Sequence, residues 1–524
     1  MNRTDPLPDL AWTPERAGAF GAMALELWQE YLTRLPELPV RRAATPAEVR
    51  AAVTRPVPDD PLPDDELFAH LRTLALENCT HTGHSGFMAY ITGAGTVPGA
   101  PAALLAAGFN QNAGGWFISP GATEVETNLL TWFADRFGLP AGASGAFVAG
   151  GATANLMALT AARDHLADHD VRRDGVAAGR PMAIYASEDA HDTIDRAADL
   201  LGLGTAAVRR IPTDQRLRMP ASAVAAAIEA DRAAGVQPLV VVGTAGTTEF
   251  GAIDPLEELA EVAATHGCWL HVDAAYGGPA AMTAGLRGRF TGIERADSIT
   301  CDPHKWLNTP ISSSLVLFRD PETQYRAFTL ETDYTSYDTE VVRDTVQRYQ
   351  WTPQFTRPFD ALPVWVSLLA HGWGTFERRI THDVALAGWL HHRVIQHPEL
   401  EPTIAPELSI VGFRYVPPDL RDDPDAAGYL DDLNERILYA LHDDGRVFPS
   451  NARHRGRYVL RACLLSFRTE ADDVDALIER TVAIGRDLHR ARSGGRQADP
   501  ATAPRRRVPS VSSSPIRVVS ARSQ

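Results

Sequence analysis

Two stretches, WLHVDAAY at residues 269–276 and SITCDPHKW at residues 298–306, decide how this chain is read. Each opens on a short apolar run and reaches an aspartate, Asp273 in the first and Asp302 in the second. In an open α/β sheet, ligands lie beyond the carboxyl ends of the strands, so the residues just after each run stand where chemistry is placed. After Asp273 come Ala274, Ala275 and Tyr276, a start small enough for a flat group to approach; after Asp302 comes Lys305. Of the 50 basic residues 49 are Arg and one, Lys305, is Lys. Arg supplies a fixed positive charge anywhere, but its guanidinium does not give up a proton to attack a carbonyl. The count suits a reactive amine or a lone salt-bridging lysine, and the neighbouring residues decide between them.

Further short apolar runs at 146–149, 183–186, 239–243 and 314–318 alternate with helical stretches between about Gly86 and Leu362. That alternation predicts a mostly parallel sheet covered on both faces, an α/β fold. The expected organisation is an N-terminal helical arm over 1–85, a large sheet domain over 86–375, a smaller α+β domain over 376–490 and a disordered tail over 491–524. Thr45, Pro46 and Glu48 form a capping box with Pro at the first helical position, and Thr13 with Pro14 opens an earlier helix. A connecting helix is expected over 362–379, strands over 408–416 and 458–463, and a last helix capped by Thr469 and Asp472. The tail after Ser493 carries six Arg and one Asp, including Arg505, Arg506 and Arg507, and reads as solvated chain.

The net charge of −16 argues against a general nucleic-acid binder, which needs a basic face. No run of about 18 apolar residues is present to span a bilayer, and no signal peptide opens the chain; the expectation is a soluble, cytoplasmic protein. Cys79, Cys268, Cys301 and Cys463 stand far apart, as reduced core thiols do. His81 and His84 have metal-pair spacing but no acidic third ligand in reach, so no metal is expected.

The residues after the runs make a set. Gly150, Gly151 and Ala152 lead into a helix whose N–H groups suit a phosphate; Thr244 to Thr248 form a hydroxyl-rich turn; His191 follows the run at 183–186. A phosphate cradle, a carboxylate, a lysine and an imidazole together meet the needs of pyridoxal 5′-phosphate. A Rossmann fingerprint is absent at the first strand-to-helix turn.

HVDAAY (271–276), DPHKW (302–306), AHDTIDRA (190–197), GTT (246–248) and SPGATEVE (119–126) together resemble the group II pyridoxal-phosphate decarboxylases, the family of aromatic-L-amino-acid and glutamate decarboxylases. The resemblance covers about residues 80–475. It implies the PLP-dependent transferase architecture of fold type I and a homodimer with active sites at the interface. By position it implies Lys305 as the Schiff-base lysine and Asp273 as partner of the pyridine nitrogen. It also implies His191 stacked on the ring, Thr248 and Ala275 lining the cofactor, Gly151 and Ala152 on the phosphate, and His304 beside the substrate. The loop tyrosine that returns a proton to the α-carbon falls at Tyr334, with Tyr337 its local rival. Substrate contacts fall at Tyr90, Ile91 and Thr92, where the aromatic members carry Phe-Pro-Thr after the tyrosine; the neighbouring subunit's contribution falls at Asn112 and Gly114. Trp116 and Phe109 are further apolar candidates.

Two departures stand out: Asp302 replaces an Asn, and the turn 150–152 lacks the family's serine. An acid beside a phosphate is unfavourable unless it faces away, so Asp302 is left unassigned to it. The activity implied is decarboxylation of an L-amino acid with an aromatic or other apolar side chain to the amine and CO2. An aldehyde synthase or other fold-type I lyase, and a non-catalytic cofactor-binding scaffold, are the alternatives; retained Tyr334 and His191 favour plain decarboxylation.

Overall fold

The computed structural model of the chain describes residue 10, residues 12–330 and residues 345–494. Tyr334, Tyr337 and all of the tail beyond Gly494 lie outside the described residues. The arm holds α1 (Pro14–Arg34), α2 (Pro46–Val53) and α3 (Asp64–Glu77). Thr13 Oγ1 accepts from the Arg16 N–H at 3.3 Å, and both halves of the Thr45–Glu48 capping box form. Beyond these helices the arm is tied down where the Val40 N–H donates to the Gly445 carbonyl at 2.7 Å.

The described strands, β1 (Phe87–Met88), β2 (Ser144–Val148), β3 (Met182–Ser187), β4 (Val208–Ile211), β5 (Gln237–Thr244), β6 (Trp269–Asp273), β7 (Ser298–Cys301), β8 (Ser314–Phe318), β9 (Leu400–Pro402), β10 (Ile410–Tyr415), β11 (Phe448–His454) and β12 (Arg457–Cys463), form two sheets. The larger has the order β2-β8-β7-β6-β5-β3-β4; β4, β3, β5, β6 and β7 run parallel and β8 is antiparallel to both neighbours. Its central strands are apolar without alternation because helices cover both faces. α4 (Gly99–Phe109) precedes α5 (Pro120–Phe137), which buries Leu129, Leu130 and Phe133 on one face, while α6 (Gly151–Leu166) buries Met157, Ala158 and Leu159 on the other.

The smaller sheet has the order β1-β11-β12-β10-β9, with β1 parallel to β11. Helices Ala427–Asp444 and Ala471–Gly494 cover it through Leu433, Ile437 and Leu477. The expected single helix over 362–379 is instead two, Ala361–His371 and Trp373–Gln396, broken at Gly372, whose φ of +69° no helix accommodates. The last helix also opens differently from the expected box. Thr469 donates its hydroxyl to the Ser85 carbonyl at 2.7 Å, and the Asp473 carboxylate accepts the Glu470 N–H at 3.0 Å. That helix runs on to Gly494, past the expected start of the tail. Cys268, Cys301 and Cys463 are buried, whereas Cys79 is exposed rather than a core thiol.

Candidate active site

The carboxyl ends of β2, β3, β5, β6 and β7, with the turns that follow them, enclose a cavity of about 310 Å³. β7 ends one residue before Asp302, and a tight turn follows in which the Lys305 N–H donates to the Asp302 carbonyl at 2.9 Å. Trp306 then fastens the loop from behind: it is buried, stacked on Tyr276 at 5.0 Å, and donates its Nε1–H to Asp383 at 2.9 Å. The lysine is therefore presented to the cavity by a rigid support.

Lys305 Nζ lies 2.9 Å from Asp302 Oδ2. Burial alone would pull the amine's pKa down, but Asp302 and then Asp273 outweigh it and hold it above the usual lysine range. The second Asp302 oxygen, Oδ1, is buried with no hydrogen-bond partner among the described residues. A Cβ at Gly151 would come within 2.9 Å of Asp302 Oδ2 and 3.1 Å of Oδ1. The two departures noted in the sequence are thus one packing solution, in which the bare glycine makes room for the carboxylate. Beyond that glycine, α6 begins; the N–H groups of Thr153 and Ala154 donate to the Gly150 carbonyl at 2.9 and 3.1 Å, so those of Gly151 and Ala152 lie ahead of them at the positive end of a 16-residue helix.

The neighbouring strand, β6, delivers Asp273. One carboxylate oxygen accepts the Ala275 N–H at 3.1 Å and the other accepts Asn155 Nδ2–H at 2.8 Å. Asn155 sits on α6 and is 1% exposed. Its other amide hydrogen goes to Thr193 Oγ1 at 3.0 Å, and Thr193 in turn faces His191 Nδ1 with its hydroxyl at 3.2 Å and its N–H at 3.1 Å. The His191 ring is exposed to the cavity. His304 turns Nδ1 to the Ser313 carbonyl at 2.5 Å and its Nε2 toward Asp302 at 4.0 Å.

Lys305, Asp273, His191, His304, Thr248, Ala275, Gly151 and Ala152 all line this one cavity, although they come from five separate turns. Tyr90, Ile91 and Thr92 do not line it: the Tyr90 side chain is exposed and Ile91 packs into the core of the large sheet. The chain reaches the lysine loop three residues after Tyr90, at Gly93, where a Cβ would stand 2.7 Å from the Lys305 carbonyl. Sequence reading missed three residues here. Asn155 lies in the first turns of α6 and Thr193 opens a short helix, Thr193–Leu200, and neither carries in its sequence context a sign of its distant partners. The third, Arg461 of β12, is 3% exposed and crosses from the small sheet to hold the Thr248 and Tyr90 carbonyls, each with a 3.0 Å bond.

The cavity therefore offers, in one space, an amine, a hydrogen-bonded carboxylate and the N-terminus of a long helix. Residues 46–416 match the model of the pyridoxal-dependent decarboxylase conserved domain. The chain belongs to this family. It is accordingly a pyridoxal-phosphate-dependent amino-acid decarboxylase, a lyase. It is 29% identical over 480 residues to an aromatic-L-amino-acid decarboxylase of Bacillus atrophaeus, covering 92% of this chain and 98% of that one. Its fold matches the crystal structure of mouse CSAD with a TM-score of 0.86 at 26% identity, over 91% of this chain and 100% of that one. It also matches Oryza sativa TDC with PLP and tryptamine with a TM-score of 0.85 at 26% identity, over the same shares. Fold type I is thereby shown, and pyridoxal 5′-phosphate is the cofactor. Among the described residues no helix is long and apolar enough to cross a membrane.

The donor set fits that cofactor. The α6 N-terminus suits its phosphate, Asp273 suits a protonated ring nitrogen, and Lys305 is the one side-chain amine available to its aldehyde.

Proposed function

We propose that this decarboxylase acts on an aromatic or other apolar L-amino acid, releasing CO2 and the amine, in the cytoplasm and as a homodimer with active sites at the interface. The observation that carries the reading is that Lys305 and Asp273 face one cavity closed at a third point by the α6 N-terminus. The similarity to a bacterial aromatic-L-amino-acid decarboxylase supports the substrate class. Four free cysteines suit a reducing compartment.

When bound, the cofactor supplies an electron sink for the pair left behind as the carboxylate departs. The protein's own part follows from its side chains. Gly151 and Ala152 bind the phosphate through backbone N–H groups, and Asp273 holds a proton on the facing ring nitrogen. Lys305 is the covalent anchor, with Asp302 as its counter-charge; Thr248 and Ala275 line the ring and His191 covers a face. His304 borders the substrate, Tyr90, Ile91 and Thr92 contribute to its recognition when a second subunit completes the pocket, and Tyr334 returns the proton to the α-carbon. The division into arm 1–85, large domain 86–375, small domain 376–490 and tail 491–524 is part of the same reading.

The dimer is supported by exposed apolar surface. Leu104, Leu105 and Phe109 of α4 are 70%, 49% and 55% exposed, and Ile118 follows, a concentration of large apolar side chains that a monomer seldom leaves in water. Borohydride reduction should fix the cofactor to the peptide containing Lys305, and CO2 release should be fastest with Trp, Tyr or Phe. Fixation at another peptide overturns the anchor, and faster release from Glu than from any aromatic overturns the substrate class.

A further inference from the structure

Behind Asp273 lies a chain of buried polar groups that the reaction itself does not touch. Trp269 donates its Nε1–H to Ser298 Oγ at 2.8 Å; Ser298 Oγ lies 2.9 Å from His271 Nδ1; His271 Nε2 lies 3.1 Å from Asn155 Oδ1; and Asn155 Nδ2 reaches Asp273 and Thr193. Ser298, His271 and Asn155 are each at most 1% exposed. At that burial bulk solvent does not reach these groups, and each is satisfied by its neighbour.

The two ends fix the direction of every bond between them. Asp273 is an acceptor only, so the Asn155 atom facing it is the amide nitrogen, and the Asn155 oxygen must face His271. That oxygen needs a donor, which places the His271 proton on Nε2 and leaves Nδ1 to accept from the Ser298 hydroxyl. Ser298 is free to donate because its oxygen already accepts from Trp269, whose indole N–H cannot do otherwise. Burial supports the neutral ring: it pushes the His271 pKa down to about 4, against the opposing pull of Asp273 and the bond at Ser298. At the near end Asn155 spends one N–H on Asp273 and one on Thr193, which passes a hydrogen bond on to His191 Nδ1. Asn155 thus joins the two side chains assigned to the cofactor's nitrogen and to its face.

We propose that Asn155 is a positioning residue that, locked by His271, sets both the basicity of the Asp273 carboxylate and the orientation of His191. This rests on the reading of Asp273 as partner of the ring nitrogen. A donated N–H stabilises the charged carboxylate. Without it Asp273 becomes more basic and draws the shared proton away from the ring nitrogen. Without the His271 donor the Asn155 amide loses what holds its oxygen away from Asp273, and the same change follows. A Gln at 271 keeps a donor on the correct side and should restore the chain.

The test is the ¹⁵N shift of enzyme reconstituted with ¹⁵N-labelled cofactor at neutral pH, with cofactor stoichiometry measured on the same samples. Wild type and His271→Gln should show the protonated ring nitrogen. Asn155→Ala and His271→Phe should show a shift toward neutral pyridine at full occupancy, with kcat about ten- to hundredfold lower. If His271→Phe does not fold, Asn155→Ala decides alone, and Ser298→Ala gives an intermediate shift. A protonated nitrogen retained in Asn155→Ala overturns the proposal, since a merely structural role would cost occupancy and leave the shift alone. A neutral nitrogen already in wild type overturns instead the assignment of Asp273.

Discussion

Two aspartates line the cavity, and they are built in opposite ways. Asp273 has both oxygens hydrogen-bonded by the protein, to Ala275 and Asn155. Asp302 has one oxygen on Lys305 and the other buried without a partner among the described residues. A satisfied carboxylate is fixed in place and in charge before any ligand arrives. A half-satisfied one costs free energy until something else donates to it.

The largest effect should come from the amine that both aspartates face. Lys305→Arg keeps the charge and the pairing with Asp302 but has no reactive amine; covalent cofactor attachment and turnover should both vanish, as completely as in Lys305→Ala. An attachment band in the absorbance spectrum of either variant breaks the account of this amine. Next is Asp273→Asn, which keeps the shape of the satisfied side chain but removes its charge: cofactor should still bind while kcat falls by about a thousandfold, ~4 kcal/mol in the barrier. A drop under tenfold would mean that another group holds the ring proton.

A smaller effect concerns stability. His271 is buried neutral behind Asp273 with its pKa pushed down to about 4 by burial, from 6.5. The unfolded chain takes up that proton first as pH falls, so this contribution is present above pH 6.5 and is lost progressively toward pH 4, about 3 kcal/mol in all. Asp254 and Asp383 are pushed up to about 7 by burial and act with the opposite sign. The measurement is therefore the difference in unfolding free energy between wild type and His271→Gln. It should shrink from pH 6.5 to pH 4, and a flat difference removes the histidine from the account. The smallest effect should be Asp302→Asn. It removes the charge beside the phosphate cradle and the partner that raises the Lys305 pKa, so apo enzyme should capture cofactor faster at neutral pH, with Kd about three- to tenfold lower. Weaker binding would show that pairing with Lys305 outweighs the repulsion.

The large sheet was legible because buried parallel strands are continuous apolar runs, and six of its seven strands fall on runs visible in the sequence. β4, VRRI, was missed because its two arginines break the pattern; as an edge strand it holds Arg209 on Asp231 at 2.9 Å and Arg210 on Asp195. β11, FPSNARH, failed for a similar reason, since its outer positions are polar. Lys305, Asp273 and the glycine turn were legible from residue chemistry at strand ends. Asn155 was not, because what makes it special is its partners: Asp273 and His271 lie 118 and 116 residues away. The pairing of Asp302 with Lys305 is local, yet its consequence for Gly151 required the fold.

Arg461 has a consequence of another kind. Its guanidinium sits in the small sheet and grips the carbonyl of Thr248, which lines the cavity, and that of Tyr90, which lies outside it, while β1 threads the segment before Tyr90 into that same sheet. The two sheets are stitched together at the edge of the cofactor's space, and neither can rock away from the other without freeing these bonds. Whatever stiffens the rim should therefore be felt across the stitch. Amide protons of β12, remote in sequence from every cofactor residue, should exchange more slowly with deuterium once the enzyme is loaded, making that strand a distant gauge of occupancy.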